Sequence, residues 1–343
     1  MILLIGNFLS KHGFNPTAIE GLAIALSKKN KVEISSDKSN PLFRLSHMVT
    51  SVIKNRKYCK LIIVDLFSTY ALLFAFIVIL LAKLLKIPFI PVLRGGSLPE
   101  KYKKYPYIFN FLFSSSSIVV CPSKYLQQCF RGKSFQTTII PNYIDCKNYS
   151  FKIRQEIRPH LLWVRAFHEI YNPTMAVLVL NKIINNYPDA HLCMIGPGKD
   201  NSINEVRKLI NKLKLNNQIK ITGKLEKEEW RKLSTEYDIF LNTSNYDNHP
   251  VTILEAMALG IPIVTTNVGG IPNLLTHNNT AKLVDPNDVS AMSMCVLDYL
   301  SQKEDRIRIS SNARDTIEKE FNKIKIIPQW LSMVDGIINF KAN

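Results

Sequence analysis

The stretch DIFLNTSNYDNHPVTILEAMALGIPIVTTNVGG, residues 238–270, decides the fold class. It holds two short apolar runs, DIFLNTS and IPIVTTN, which predict strands, and a helical pattern over 251–259 lies between them. A strand, a helix and a second strand in this order form a βαβ unit, whose two strands run parallel. The stretch therefore predicts a parallel α/β sheet.

The same alternation continues along almost the whole chain. In the first half, the predicted strands are MILLIGNF, KVEISS, LIIVDL, FIPVLRG, SIVVCPS and TTIIPN, with helices near 17–28, 42–57, 69–86, 102–113 and 123–131. In the second half they are HLLWVRAF, AHLCMIG, IKITG, DIFLNTS, IPIVTTN and AKLVDP, with helices near 173–187, 203–215, 226–237, 251–259 and 288–302. Two such series predict two doubly wound parallel sheets with a ligand cleft between them.

The length of 343 residues also favours two domains, because a single core seldom grows beyond about 250–300 residues. The polar segment 145–159 predicts the linker. We therefore expect an N-terminal Rossmann-like domain over 1–150 and a C-terminal one over 156–324. A final helix over about 325–343 is expected to pack back on the first domain.

Positive charge is concentrated in the first half of the chain. Residues 1–160 hold 23 lysines and arginines against 7 acidic residues, whereas residues 161–343 hold 21 against 20. This asymmetry predicts an anionic partner for the first half, either a phosphorylated ligand or an acidic membrane surface. Nucleic acid is disfavoured, because the basic residues form no recognisable reading motif.

Residues 66–82, LFSTYALLFAFIVILLA, contain no charge and leave three possibilities open. A spanning helix needs about 20 apolar residues, so this segment is short for a span. Its position between two predicted strands favours a helix that is buried or touches a membrane. The N-terminus MILLIGNF lacks the basic residues and cleavage site of a signal peptide and predicts a core strand. The six scattered cysteines fit a reduced cytosol.

The residues with chemical potential concentrate in 245–275. Asp247 lies in a predicted loop and Glu255 lies one turn into the predicted helix that begins near Val251. The free N–H groups of Val251 and Thr252 suit a phosphate, and a glutamate in that position can accept two hydrogen bonds from a ribose. The later pair Gly269 and Gly270 allows backbone to come close to a bound group.

In this order, these features resemble the retaining glycosyltransferases of family 4, which have the GT-B fold of two Rossmann-like domains facing a cleft. The family signature is Glu, seven residues, Glu, then AMAxGxPVV and GGxxE. This chain has Asp247, seven residues, then EAMALGIPIV from Glu255 and GGIPN from Gly269. Other landmarks in register are WVRAFHEIYNP at 163–173, MIGPGKD at 194–200, ITGKL at 221–225, CPSKYL at 121–126 and IIPNYID at 139–145.

The resemblance implies roles for individual residues. Glu255 is expected to bind the nucleotide ribose, Asp247 to contact the donor sugar, and Arg165 to hold the pyrophosphate. Tyr171 stands where the family commonly has a lysine, so Arg165 acts alone, Lys199 or Lys224 substitutes, or activity is reduced. The resemblance also implies donor-binding positions at Gly13, Gly196, Gly198, Lys224, Leu225, Val251, Thr252, Gly269 and Gly270.

Arg94, which follows the fourth predicted strand, and His12 are expected on the acceptor side. No Asp-x-Asp metal motif occurs in the sequence, and the resemblance implies transfer without a metal or cofactor, from a UDP- or GDP-linked sugar. The expected function is retaining transfer of a hexose or related sugar to a hydroxyl of a lipid-linked or surface-polysaccharide intermediate. We expect a cytoplasmic protein bound peripherally to the inner face of the cell membrane.

Two alternatives remain open. The first is a nucleoside-diphosphate-sugar epimerase or hydrolase of the same fold. The second is a catalytically weak, nucleotide-binding module at the membrane surface, because Tyr171 replaces the family lysine. A Rossmann dehydrogenase is disfavoured, since no Gly-x-Gly-x-x-Gly follows the first predicted strand.

Overall fold

A computed structural model describes residues 1–12, 17–131 and 134–340 of the chain. The chain divides into two compact units. Met1–Asn142 and Ile324–Asn343 form the first unit, and Tyr143–Lys323 form the second. The division therefore lies at residue 142, ahead of the boundary at 150 that the sequence predicts, and the chain's last segment belongs with the first unit.

The first unit is built on a six-stranded parallel sheet with the strand order β2-β1-β3-β4-β5-β6. Its strands are β1 (Ile2–Ile5), β2 (Val32–Ser35), β3 (Leu61–Leu66), β4 (Phe89–Leu93), β5 (Val119–Cys121) and β6 (Thr137–Ile139). Its helices before the division are α1 (Ala18–Ser27), α2 (Pro41–Asn55), α3 (Ala71–Leu84), α4 (Leu98–Lys104), α5 (Pro106–Phe113) and α6 (Lys124–Cys129).

The second unit contains a six-stranded parallel sheet with the order β12-β11-β10-β7-β8-β9. Its strands are β7 (His160–Val164), β8 (His191–Ile195), β9 (Ile219–Gly223), β10 (Ile239–Asn242), β11 (Ile263–Thr266) and β12 (Lys282–Val284). Its helices are α7 (Pro173–Ile183), α8 (Ser202–Leu213), α9 (Lys227–Leu233), α10 (Val251–Leu259), α11 (Ile271–Leu274), α12 (Val289–Ser301) and α13 (Lys303–Glu320). The last helix, α14 (Lys323–Phe340), begins at the end of the second unit and otherwise belongs to the first.

The prediction of two doubly wound parallel sheets is confirmed, and each predicted strand is present. Alternate residues of β7 pack into two different apolar clusters, with Leu162 and Val164 in one and Leu161 and Trp163 in the other. Successive side chains of a strand point to opposite faces of its sheet. Both faces of the second sheet are therefore covered, which explains why its central strands β7, β8 and β10 are each apolar at all but one position.

Four of the described helices differ from the predictions, among them the short helix α11, where no helix was predicted. The helix predicted near 102–113 is two helices, α4 and α5, because Pro106 lacks the N–H that would continue α4. The sequence analysis assigned no helix to 303–320, where α13 lies. That helix buries Ile309, Ala313 and Ile317, a spacing of four residues that places the three side chains on one face.

The predicted linker 145–159 is wrong as a description of this segment, which packs into the second unit. Arg154 is 4% exposed, and its guanidinium donates hydrogen bonds to Leu259 O (3.0 Å) and Tyr237 O (3.3 Å). Leu259 is the last residue of α10, so its carbonyl has no partner within the helix. Arg154, one of the charged residues on which the linker prediction rested, instead donates hydrogen bonds to carbonyl groups inside the second unit.

Helix α3 accounts for most of the uncharged segment 66–82. One side of the helix is buried, including Val78, Ile79 and Ala82, whereas Leu73 and Leu84 on another side are exposed. Of the helices that the structure describes, none has both the length and the apolar character needed to cross a membrane.

We predict that Arg154→Ala lowers the free energy of unfolding by about 3–5 kcal/mol, because it leaves buried carbonyls and the buried Asp238, 3.6 Å from Arg154 Nε, without this partner. Arg207→Ala, at an exposed position of α8, is the matched control and should change stability by less than about 0.5 kcal/mol. Urea unfolding measures both. Equal midpoints for the two variants would contradict the role given to Arg154.

Candidate functional site

The order of the second sheet places a switch point between β7 and β10. The chain moves outward from β7 to β8 and β9 on one side and from β10 to β11 and β12 on the other. Ligands of open α/β sheets bind outside the carboxyl ends of the strands at such a point. Because β7 and β10 pair in parallel, with Leu241 beside Trp163, the loops that follow them leave the same edge.

These two loops bring Arg165 and Asp247 together in an ion pair. Arg165 Nη2 donates to Asp247 Oδ2. The other carboxylate oxygen accepts the Asn248 N–H at 2.9 Å, and Ser244 Oγ lies 3.4 Å from Oδ2. Burial raises the pKa of Asp247, and the neighbouring guanidinium opposes this rise. Arg165 and Asp247, which are separate site candidates in the sequence, therefore form one ion pair.

Two glycines fit closely against the backbone of this ion pair. Gly196 has a φ of +153°, and a Cβ at that position would overlap Arg165 O. Gly269 has a φ of +55°, a Cβ there would overlap Asp247 O, and the Gly270 N–H donates to the same oxygen at 3.0 Å. The sequence analysis expected these glycines to admit a ligand. In the structure, Gly196 and Gly269 admit the backbone of the two charged residues.

Glu255 lies within α10 and is 3% exposed. Its Oε1 accepts a hydrogen bond from Tyr149 OH at 2.8 Å, and Lys227 Nζ lies 3.6 Å from the same oxygen. Burial raises the pKa of Glu255, while Lys227 and Tyr149 act in the opposite direction. Sequence reasoning missed both partners. Lys227 was available as the basic residue at the start of α9, whereas Tyr149 lay in the presumed linker.

Helix α10 begins at Val251, where the sequence predicts its start. Its N-cap is Pro250, whose carbonyl accepts the N–H groups of Ile253 and Leu254. The N–H groups of Val251 and Thr252 precede the first bonds of the helix and carry its positive dipole end. The buried Thr252 Oγ1 has no hydrogen-bond partner within the described part of the chain. This end of the helix is therefore suited to an anion.

Comparison with known proteins identifies the family of this region. Residues 148–316 match the family model described as Glycosyl transferases group 1. These residues belong to the glycosyl transferases group 1 family. The resemblance noted in the sequence is thus confirmed at the level of group 1.

Two curated relatives and one solved structure illustrate the similarity. N-acetyl-alpha-D-glucosaminyl L-malate synthase of Bacillus anthracis is 25% identical over 197 residues, which are 57% of this chain and 50% of that protein. The amylovoran biosynthesis glycosyltransferase AmsK of Erwinia amylovora is 32% identical over 111 residues, 31% of this chain and 27% of that protein. The chain thus spans half or less of the length of these relatives.

The crystal structure of Anabaena Alr3699/HepE in complex with UDP-glucose superposes with a TM-score of 0.80 at 19% identity, covering 98% of this chain and 99% of that one. At 19% identity, this structural similarity shows a shared fold. Together with the two parallel six-stranded sheets, it identifies the architecture as GT-B.

Tyr171 of the group 1 domain contacts the ion pair directly. The Arg165 guanidinium carbon lies 5.0 Å from the centroid of the Tyr171 ring, within the range of a cation–π interaction. The Tyr171 backbone is fixed in turn, because Thr243 Oγ1 donates to Tyr171 O at 2.8 Å and accepts from Trp163 Nε1 at 3.0 Å. The residue that replaces the family lysine is therefore a neighbour of Arg165.

The remaining donor-side candidates of the group 1 domain lie in the loops that follow β8 and β9. Lys224 Nζ is 3.2 Å from Glu226 Oε1, and Lys199 is exposed. Leu225 is partly buried against the apolar cluster that contains Leu162, and Gly198 forms a β-bridge with Phe167.

The acceptor-side candidates lie in the first unit. Arg94 Nε donates to Asp65 Oδ1 at 3.1 Å and Nη1 donates to Asn142 Oδ1 at 2.6 Å, and its side chain is 9% exposed. Arg94 is therefore held by intramolecular partners. His12 ends the short 3₁₀ turn Ser10–His12, and Gly13 lies outside the described residues. Within the described ranges, no cluster of three or more His, Cys, Asp or Glu residues is arranged to hold a metal.

We predict that Glu255→Gln stabilises the group 1 domain at about pH 8 and that this gain shrinks as the pH falls toward about 4. A raised pKa means that folding favours the protonated carboxyl, so the contribution of Glu255 is present below its unfolded pKa of about 4.3 and is lost as the pH rises through the folded pKa. Urea unfolding at several pH values measures the difference. Glu228→Gln, at an exposed position of α9, is the control, and a gain that is independent of pH would contradict the assignment.

Proposed function

We propose that the protein transfers a sugar from a UDP- or GDP-linked donor to an acceptor hydroxyl, with retention of configuration at the anomeric carbon, as the resemblance to family 4 implies. The observation that carries the proposal is the Arg165–Asp247 ion pair at the switch point of the group 1 domain. Asp247 lies three residues before Pro250, the N-cap of α10. The UDP-glucose in the similar Anabaena structure supports a nucleotide-linked donor.

In this proposal the donor engages the site at three points. The ribose hydroxyls bind Glu255 and displace Tyr149 and Lys227 from its carboxylate. The diphosphate lies at the N-terminus of α10, where Val251 and Thr252 present N–H groups, and against the Arg165 guanidinium. Asp247, released from Arg165, accepts a hydrogen bond from a hydroxyl of the donor sugar.

Charge stabilisation on the leaving group is the main chemical contribution of these residues. As the bond between the anomeric carbon and the diphosphate breaks, negative charge grows on the diphosphate oxygens. The acceptor hydroxyl forms the new bond on the same face of the sugar, and its proton passes to the departing diphosphate. The α10 N-terminus faces this charge from the start, and Arg165 turns to it when the bound donor releases the guanidinium from Asp247. Groups that are oriented in this way before the bond breaks lower the barrier to the reaction. The proposal invokes no metal ion and no organic cofactor.

The acceptor in this proposal carries phosphate or is linked to a lipid, such as an intermediate of surface-polysaccharide assembly at the inner face of the membrane. Residues 1–160 hold 23 basic and 7 acidic residues, which favours an anionic acceptor for this part of the chain. The name of the similar amylovoran biosynthesis glycosyltransferase supports a role in polysaccharide assembly.

The test is mass spectrometry of products from a panel of UDP- and GDP-sugars with lipid-linked acceptors. We predict transfer of one sugar by the wild-type protein and a loss of at least about 100-fold in kcat for Arg165→Ala, because a phosphate clamp acts on charge that grows in the transition state. Arg207→Ala, on the exposed surface of α8, should retain full activity.

Unchanged turnover by Arg165→Ala would contradict the assignment of the clamp. Release of free sugar without any acceptor would contradict transfer and indicate a hydrolase. Binding of nucleotide without turnover of any donor in the panel would indicate a binding module instead.

We predict that Tyr171 acts through its ring. Tyr171→Phe should leave kcat close to that of the wild type, whereas Tyr171→Ala should lower kcat about two- to fivefold or more, because it removes a cation–π contact worth about 0.5–1 kcal/mol or more. Steady-state kinetics with the best donor measures both. An equal loss in Tyr171→Phe and Tyr171→Ala would contradict this role and assign the function to the hydroxyl group.

A further inference from the structure

Helices α3 and α5 of the first unit present apolar side chains to solvent. Leu73, Leu80 and Leu84 of α3 are 60%, 39% and 70% exposed, and their spacing places them on one side of the helix. Tyr107 and Phe111 of α5 are 87% and 57% exposed. We call these five side chains the α3–α5 face. Most exposed apolar residues of a protein occur singly, so a group of this kind indicates a contact surface.

Direct contacts join the two helices, so that their exposed side chains form one surface. Lys83 Nζ donates to Phe111 O at 2.6 Å and lies 3.7 Å from the centroid of the Phe111 ring. Toward the start of α3, the Phe76 and Phe109 rings pack edge to face with centroids 5.0 Å apart. Beside them is a cavity of about 440 Å³, whose lining includes Tyr70, Leu73 and Tyr105.

Positive charge borders the α3–α5 face. Residues 66–113 contain one acidic residue, Glu100, and six basic residues. Arg94 is buried against Asp65 and does not contribute to this charge. Lys83 contacts the Phe111 ring, Lys101 lines the cavity beside Tyr70 and Leu73, and Lys104 Nζ lies 5.3 Å from the centroid of the Tyr105 ring. Tyrosines with an apolar ring and a polar tip lie among them, a composition that suits the boundary between lipid and water.

We propose that the α3–α5 face binds the surface of an anionic lipid bilayer. The apolar side chains enter the headgroup region while the lysines contact lipid phosphates, and the polar backbone stays inside α3 and α5. The charge complementarity selects the bilayer over an apolar protein partner, for which the three lysines Lys83, Lys101 and Lys104 at the rim would be unfavourable. The inference deepens the proposed function, because a membrane-linked acceptor would be presented at this same surface.

The experiment is co-sedimentation of the full-length protein with vesicles of phosphatidylcholine alone or with 30 mol% phosphatidylglycerol, at low and high salt. We expect binding to the anionic vesicles that weakens as salt increases. The variant Leu73→Ser/Phe111→Ser should lose at least tenfold in partitioning. The variant Lys101→Ser/Lys104→Ser should lose about fivefold for each lysine at low salt.

Leu42→Ser/Phe43→Ser is the matched control, since these side chains at the start of α2 are 77% and 69% exposed. It should bind vesicles as the wild type does. An equal loss in this control, wild-type binding by Leu73→Ser/Phe111→Ser, or no binding of the wild type to anionic vesicles would overturn the proposal. Self-association through the α3–α5 face in place of vesicle binding would also overturn it.

A second readout separates this proposal from the proposed function. UDP affinity, measured by calorimetry on the same variants, should equal that of the wild type, because all substitutions lie in the first unit and the donor residues lie in the second. Loss of vesicle binding with unchanged UDP affinity supports the docking surface. If the protein binds vesicles as predicted but turns over no nucleotide sugar, the proposed function is refuted and the proposed docking surface is supported.

Discussion

The parallel pairing of β7 with β10 is the constraint on which the candidate site depends. It makes the loops that carry Arg165 and Asp247 leave one edge of the sheet side by side, although 82 residues of sequence separate the two side chains. Gly196 and Gly269 then allow the backbone of each charged residue to pack where a Cβ would not fit. The ion pair is thus set by the sheet order and by two glycines in the loops after β8 and β11.

The two acidic residues of the site, Asp247 and Glu255, are both buried beside basic side chains. Burial raises the pKa of both Asp247 and Glu255. Arg165 opposes the rise at Asp247, and Lys227 together with Arg231 opposes it at Glu255. Removing the partner of a buried charge lowers the stability of the protein, because the charge is left uncompensated. Such a carboxylate can exchange its partner only for a ligand that offers replacement hydrogen bonds. A nucleoside diphosphate sugar offers ribose hydroxyls to one carboxylate and phosphate oxygens to the cation of the other.

The sequence predicted the elements whose signal is local. Short apolar runs predicted every strand, because the central strands are covered on both faces and are apolar at most positions. The start of α10 was predicted near Val251. The contacts of Tyr149 and Arg154 were not predictable in this way. Their partners Glu255 and Leu259 lie 106 and 105 residues further along the chain, and only the folded sheet brings them close. The polar composition of 145–159 therefore predicted a linker, although the segment packs into the second unit.

A crystal structure of the protein bound to an intact nucleoside diphosphate sugar tests the central claim most directly. The account predicts a diphosphate oxygen within about 3 Å of the Arg165 guanidinium, with Arg165 no longer bonded to Asp247. It also predicts ribose hydroxyls on Glu255 in place of Tyr149 and Lys227. A bound nucleotide that leaves the Arg165–Asp247 pair and the Tyr149–Glu255 hydrogen bond intact would contradict it.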